Sequence, residues 1–141
     1  MKGFVDDYLA YLLARASHLI SSEFHEVVEA SGLSLMEWRI MASLSGKSAL
    51  SISELADIVL AKQPTVTKLV GRMQAAGWVL RCDADHDKRQ SLVSLTAQGR
   101  EKVKPLLRQA RLHEQRVMAD FGPEQAQQLK AVLQRLIALH R

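Results

Sequence analysis

The sequence contains a single cysteine and no long apolar run. Cys82 alone cannot form an intramolecular disulfide or a cysteine-cluster metal site, so the cysteine content does not indicate an oxidising compartment. Asp6, Asp7 and Arg15 interrupt the N-terminal apolar stretch, which excludes a span of about 18 apolar residues and argues against a signal peptide. The cytoplasm is therefore the expected location, and no membrane partner is expected.

Sequence signatures of enzymes are absent as well. The chain has no glycine-rich phosphate loop, no His-Glu-x-x-His motif and no nucleophile on a predicted strand. Cys82 and the five histidines show no recognisable catalytic spacing. We therefore predict no catalytic residues, no metal and no cofactor. A metal-dependent regulator would need a ligand cluster, and His86 among Asp83, Asp85 and Asp87 is the one candidate, in a loop expected to face DNA.

Size and composition are those of one globular domain. The 141 residues are 48% hydrophobic and 24% charged, which excludes intrinsic disorder. The net charge is +4, but residues 62–111 hold 11 Lys and Arg against four Asp and Glu, a net charge of +7 that leaves −3 elsewhere. This asymmetry favours a polyanionic partner for the middle segment, although a charged run is often only a solvated face.

The apolar spacing predicts four helices before Gly77. Steps of three and four residues from Val5 to Val28 predict one long amphipathic helix. Ser34 and Glu37 form a capping box for the second helix. Ser53 is predicted to cap a third, from Glu54 to Leu60, with Ile58 among its inward residues. The fourth opens at Lys62-Gln63-Pro64-Thr65, where the proline suits the first turn.

A β-hairpin and two more helices follow. Residues 78–82 and 91–95 read as strands joined by an exposed charged loop. Thr96 is predicted to cap the fifth helix, and Gly122-Pro123 separates it from the sixth. Two short helices followed by a β-hairpin are typical of a winged helix-turn-helix, so the fold class is mainly α with a small β-hairpin. The apolar stripes of the flanking helices then require burial, for which a partner chain is the obvious place.

The middle of the chain also carries a recognisable set of motifs. They are Ile52-Ser-Glu-Leu-Ala-Asp, Thr65-Val-Thr-Lys-Leu-Val-Gly-Arg-Met, Gly77-Trp-Val, Asp87-Lys-Arg89, Leu95-Thr96 and Gly99. With them the whole chain closely resembles the MarR family of bacterial transcriptional regulators (multiple antibiotic resistance regulators). One departure is Asp83-Ala84-Asp85, where many members carry an Asp-Pro pair.

The resemblance implies a homodimer held together by residues 1–33 and 97–141, with residues 34–96 forming the DNA-binding lobe of a single domain, 1–141. It implies a repressor that leaves double-stranded DNA when a small molecule, often an aromatic acid, binds. Some members sense oxidants through a cysteine in the first helix, which this chain lacks. Cys82 is accordingly interpreted as a small packing residue.

The predicted DNA-binding residues belong to the fourth helix and the hairpin. In a major groove, Gln pairs with adenine, Thr methyls touch thymine, and Lys or Arg binds guanine or phosphate. An arginine on the hairpin suits a narrow A·T-rich minor groove, which favours Arg89 for that role. These residues also have alternative structural roles. Thr65 could cap the helix, Arg72 could lie in solvent at the end of the helix, and Arg89 could form a surface salt bridge. The full set is Gln63, Thr65, Thr67, Lys68, Arg72, Lys88 and Arg89.

A ligand pocket is predicted between the first two helices. Trp38 would offer aromatic surface, and Arg39 a cation for a carboxylate. The other predicted lining residues are His18, Ser22 and His25. The alternatives are a core role for Trp38, an interface ion pair for Arg39 and partly exposed helix positions for the histidines. A winged-helix protein-interaction module without DNA-binding activity is the alternative function.

Overall fold

The computed structural model describes residues 3–84 and 87–141, and the side chains of residues 84–90 are outside that description. The described residues form a short 3₁₀ helix, six α-helices and a three-stranded sheet. In chain order the elements are the 3₁₀ helix Phe4–Asp7, α1 Leu9–Ala30, α2 Leu35–Leu44, β1 Leu50–Ser51, α3 Ile52–Val59, α4 Gln63–Ala75, β2 Val79–Ala84, β3 Asp87–Leu95, α5 Ala97–Met118 and α6 Pro123–Leu139. Among these helices, none combines the length and the hydropathy that a membrane span requires.

The N-terminal helix is interrupted, which corrects the single helix predicted from Val5. Residues Phe4–Asp7 form their own short turn, because Asp6 Oδ2 accepts a hydrogen bond of 2.7 Å from the Gly3 amide. Tyr8 is extended, with φ −93° and ψ 117°, and α1 starts after it. The helical spacing of apolar residues therefore continues across Tyr8, although the backbone helix is broken there.

The start of α3 also differs from the prediction. Its N-cap is Ser51, whose hydroxyl accepts from the Glu54 amide at 3.0 Å while Glu54 Oε1 accepts from the Ser51 amide at 3.2 Å. This is a Ser-x-x-Glu capping box, so the assignment of the cap to Ser53 was wrong. The helix consequently begins two residues earlier, and Ile58, predicted to face inward, is 53% exposed. The capping box predicted for α2 and the proline predicted in the first turn of α4 are confirmed.

The sheet is antiparallel with strand order β1-β3-β2, so the predicted two-stranded hairpin gains a third strand. Leu50 pairs with Val93 on one side of β3, and Val79 pairs with Leu95 on the other. The hairpin strands extend to Ala84 and from Asp87, further than predicted, with an irregularity between Cys82 and Ala84.

Backbone contacts divide the chain into two compact units, Met1–Arg108 and Gln109–Arg141. The first unit contains the apolar core, contributed by α1 to α5 and the sheet, and its fully buried side chains include Ile40, Met41, Leu55, Val66 and Met73. In the second unit, Lys130 Nζ on α6 donates to Glu114 Oε2 on α5 at 2.8 Å. All of α6 is described and none of its residues is buried.

Candidate nucleic-acid interface

Helices α3 and α4 are joined by a tight turn of residues 60–62. Leu60 ends α3 in the left-handed region, at φ 59°, and the Ala61 amide donates to the Ala56 carbonyl at 3.0 Å. Both helices bury apolar side chains, α3 through Leu55 and Val59 and α4 through Val66 and Val70, among others. The packing of two short helices across a three-residue turn is the helix-turn-helix arrangement.

The solvent-exposed surface of α4 carries polar side chains; we refer to this exposed surface as the outer face of α4. It carries the predicted DNA-binding residues of this helix, which are Gln63, Thr65, Lys68 and Arg72, all exposed, and Thr67, which is half-buried. Gln63, Thr67 and Lys68 line one shallow depression together with Pro64. Lys62 is the N-cap, so capping does not explain Thr65, which occupies the third position of the helix.

The wing is the hairpin of β2 and β3. The backbone of Lys88 and Arg89 belongs to β3 rather than to the connecting loop in which both were expected. Their side chains are outside the described residues, and so are Asp85 and His86 entirely. The predicted contacts of Lys88 and Arg89 with DNA, and the metal hypothesis for His86, therefore remain predictions.

A polar cluster links the two wing strands. Arg81 Nη2 on β2 donates to Ser91 Oγ on β3 at 3.0 Å, and Ser91 Oγ donates to Asp83 Oδ1 at 2.5 Å. Arg81 Nε lies 3.4 Å from the same Asp83 oxygen. The Arg81 amide also donates to Gln74 Oε1, near the end of α4, at 2.9 Å. These contacts fix the base of the wing relative to α4. The charge of Arg81 alone did not predict this structural role.

The wing is also fixed to α5 at the Leu95-Thr96…Gly99 motif. Thr96 Oγ1 donates to the Gly77 carbonyl at 2.6 Å and accepts from the Gly99 amide at 2.9 Å, which confirms its predicted capping role. Gly99 packs directly against backbone, because a Cβ placed there would lie 2.0 Å from the Trp78 carbonyl oxygen. The motif thus holds the end of β3, the turn after α4 and the start of α5 together.

Comparisons with known proteins agree with this architecture. A family model described as the MarR family matches residues 31–90. The crystal structure of a MarR family transcriptional regulator from Silicibacter pomeroyi DSS-3 is 36% identical to this chain, with a TM-score of 0.86 over 99% of this chain and 100% of that one. The chain belongs to the MarR family.

Other relatives of this MarR-family protein cover nearly its whole length. The homoprotocatechuate degradative operon repressor of Escherichia coli is 29% identical over 133 residues, which are 94% of this chain and 90% of that protein. A second MarR family regulator from Silicibacter pomeroyi has a TM-score of 0.85 at 29% identity, covering 97% of this chain and 92% of that one. These relatives are named as regulators of transcription, and the two solved structures share the winged-helix fold predicted from the sequence.

The predicted ligand residues of this MarR-family chain lie on α1 and α2. Trp38 is half-buried, with its ring centroid 5.6 Å from that of Phe24 on α1, so it joins the two helices. His25 is half-buried and its Nε2 lies 2.8 Å from Glu29 Oε1. Ser22 Oγ donates to the His18 carbonyl at 2.7 Å, both residues being exposed, and Arg39 is half-buried. The structure therefore shows a contact between α1 and α2, through Phe24 and Trp38. A pocket shared by the five predicted residues remains a prediction.

The described residues of the structure also bear on Cys82 and on the residue types that ligate metals. Cys82 is exposed, so the packing role predicted for it is wrong. Its partner across the sheet is Leu92, and both side chains point to the exposed side of the wing. Within the described part of the chain, no group of three or more His, Cys, Asp or Glu residues is arranged to hold a metal ion.

Sequence reasoning missed two residues of the outer face, Pro64 and Gly71. The sequence pattern predicts only a helix start at Pro64, but this residue lines the same depression as Lys68. Among the residues that the structure describes, a Cβ added at Gly71 would meet nothing within 4 Å, so no contact there requires a glycine. The signal that identifies both residues is their angular position on the helix, since neither carries a polar side chain.

Proposed function

We propose that this MarR-family regulator is a homodimeric repressor that binds a palindromic operator in double-stranded DNA and leaves it when a small aromatic acid binds. The outer face of α4 carries this proposal. It presents an amide, hydroxyls and two cations on a helix whose other side is fixed in the core, which suits reading of base edges in a major groove. A helix that only docks against another protein would not need this combination of amide, hydroxyl and cationic side chains.

Unpartnered apolar surface supports the homodimer. In the N-terminal segment, Phe4 is 78% and Leu9 57% exposed. In α6, Val132 is 57% and Ile137 62% exposed. Apolar faces of this extent on both terminal segments indicate burial against a second copy, and two copies would present two α4 helices to successive turns of one DNA face. Half-site centres about 10 base pairs apart are then expected.

The ligand proposal rests on the α1–α2 contact and on the Escherichia coli relative. That relative represses an operon for degradation of homoprotocatechuate, which is an aromatic acid. In this chain the half-buried Trp38 offers an aromatic surface beside Phe24, and Arg39 on the same helix offers a guanidinium for a carboxylate. We propose the same general class of ligand here.

A selection experiment tests the DNA proposal. Wild-type protein is used to enrich duplexes from a random pool, and the affinity for the enriched sequence is then measured at two salt concentrations. We expect an imperfect palindrome and an affinity that falls steeply as salt rises, because Lys and Arg displace counterions from phosphate. Enrichment of no sequence, with no salt-dependent binding, would show that the chain is an interaction module instead.

The ligand proposal is tested with Arg39→Ala. Homoprotocatechuate is titrated into the complex of the protein with its selected operator, and release of DNA is measured. We expect release from wild type, with a coupling of about 1 to 3 kcal/mol, and a blunted response from the variant at unchanged DNA affinity. An unchanged response in Arg39→Ala would remove Arg39 from the ligand site, and an unfolded variant would assign it to structure.

A further inference from the structure

The depression on the outer face of α4 combines apolar and hydrogen-bonding groups. It is lined by Gln63, Pro64, Thr67 and Lys68. Residues three and four apart are neighbours on a helix surface, so Pro64 lies beside both Thr67 and Lys68, and Gln63 lies beside Thr67. Of these lining residues, Pro64 has a wholly apolar side chain and Thr67 carries a methyl group. Gln63 carries an amide and Lys68 an ammonium group, which are polar.

Pro64 occupies the part of α4 most distant from the core. At roughly 100° per residue, Pro64 and Lys68 each lie about 160° around the helix axis from Val66, which is fully buried. Both side chains are exposed. A partner that binds this side of α4 would therefore contact the apolar ring of Pro64 and the ammonium group of Lys68.

We propose that this depression accepts the 5-methyl group of a thymine in the major groove, and that Pro64 is the residue that sets this preference. The proposal rests on the proposed DNA-binding function and adds the base that one part of α4 reads. A proline side chain has no polar atom, so it offers no hydrogen bond to the amino group of cytosine or to the N7 and O6 acceptors of guanine. Thymine differs from the other bases by the methyl group that it exposes there.

The neighbouring residues complete the reading of one base-pair step. Gln63 can bind adenine through N6 and N7, and adenine is the partner of the thymine whose methyl enters the depression. Lys68, on the far side of Pro64 from Gln63, can donate to O6 and N7 of a guanine. The expected half-site core therefore contains an A·T pair next to a G·C pair.

Replacement of thymine by uracil in the selected operator tests the proposal, because uracil lacks only the methyl group. Each core thymine is replaced in both half-sites, and wild-type affinity is measured by competition at one salt concentration. Removal of one buried methyl contact predicts about fourfold weaker binding per half-site at a single core position. If no core position responds to uracil, the proposal is wrong, whatever any variant does.

Two proline variants then assign the effect to a residue. Pro64→Ala should bind the thymine and uracil operators with equal affinity, since the ring that contacts the methyl is gone. Pro123→Ala, which removes the first-turn proline of α6, should keep the full difference and controls for loss of a helix-starting proline. If Pro64→Ala keeps the difference, Pro64 is not the determinant. Because these measurements use an operator that wild type already binds specifically, they can fail while the proposed function stands.

Discussion

At the scale of single residues, two helical glycines have opposite surroundings and predict opposite effects of one substitution. Gly71 on α4 faces open space, whereas a Cβ at Gly99 on α5 would lie 2.0 Å from the Trp78 carbonyl oxygen. Gly71→Ala should therefore stabilise the fold by about 0.5 to 1 kcal/mol through helix propensity. Gly99→Ala should destabilise it by about 3 kcal/mol, since backbone has to move. Thermal unfolding at equal protein concentration measures both.

Gly71→Ala also distinguishes an effect on protein stability from an effect on DNA binding. Gly71 lies two helical turns beyond Pro64 and so on nearly the same side of α4. If this side enters the groove, Gly71→Ala should weaken operator binding while it raises the melting temperature, because the added methyl faces the DNA. A variant that gains stability and keeps full affinity would place the DNA on another side of α4.

The proposed role of the wing in DNA binding can be tested at Arg89. Arg89→Ala should weaken operator binding strongly, relax sequence preference only at flanking A·T positions, and reduce the salt dependence by about one counterion. Arg135→Ala is the charge-matched control, because Arg135 is exposed on α6. Titrations against operators altered at the core and at the flank, at two salt concentrations, measure these effects. Wild-type binding by Arg89→Ala would leave the hairpin a structural or docking role.

At the scale of elements, the start of α3 yields a matched pair of serines. Ser51 makes both hydrogen bonds of the capping box with Glu54, whereas Ser53 is an exposed residue inside the first turn. Ser51→Ala should lower the free energy of unfolding by about 1 kcal/mol. Ser53→Ala should change it by less than about 0.5 kcal/mol. Equal effects, measured by denaturant unfolding, would contradict the assignment of the cap.

Three of the element ends that depend on local side chains were predicted correctly from the sequence. Ser34 with Glu37, the first-turn Pro64 and the cap at Thr96 each act within three or four residues, and all three are confirmed. Strand β1 was missed because two residues show no alternation, and its pairing with β3 joins Leu50 to Val93, far along the chain. The extension of β3 back to Asp87 was missed for the same reason, because backbone pairing rather than apolar alternation supports it.

The candidate site was predictable only where function requires a polar group. Gln63, Thr67 and Lys68 were selected by their chemistry, and the structure brings them to one depression. Pro64 and Gly71 contribute shape, which residue type alone does not reveal. Arg81 carries a charge, but its contacts with Ser91 and Asp83 depend on the register of β2 and β3, which the sequence does not specify.

At the scale of the whole molecule, the exposed apolar residues argue that this chain is completed by a second copy. The core of the first unit is well buried, yet α6 buries none of its residues, although Leu129, Val132, Leu133 and Leu136 recur at helical spacing. We expect a single chain of 15.7 kDa with that stripe to associate in water. An interface on the order of 2,000 Å² or more is expected, as in obligate homodimers.

Leu129→Asp tests the dimer more cleanly than a change at Leu133. Leu129 is 48% exposed in the single chain, whereas Leu133 is half-buried, so a charge at Leu129 opposes association with less effect on folding of the chain itself. Light scattering at micromolar concentration should give twice the 15.7 kDa chain mass for wild type and for Gln134→Asp, which adds the same charge on an exposed position away from the stripe. Leu129→Asp should give a monomer or a chain that unfolds at lower temperature, and its operator affinity should fall because one half-site is bound at a time. A monomeric wild type, or a Leu129→Asp protein that stays dimeric with unchanged stability, would mean that the stripe on α6 is covered by something other than a second copy.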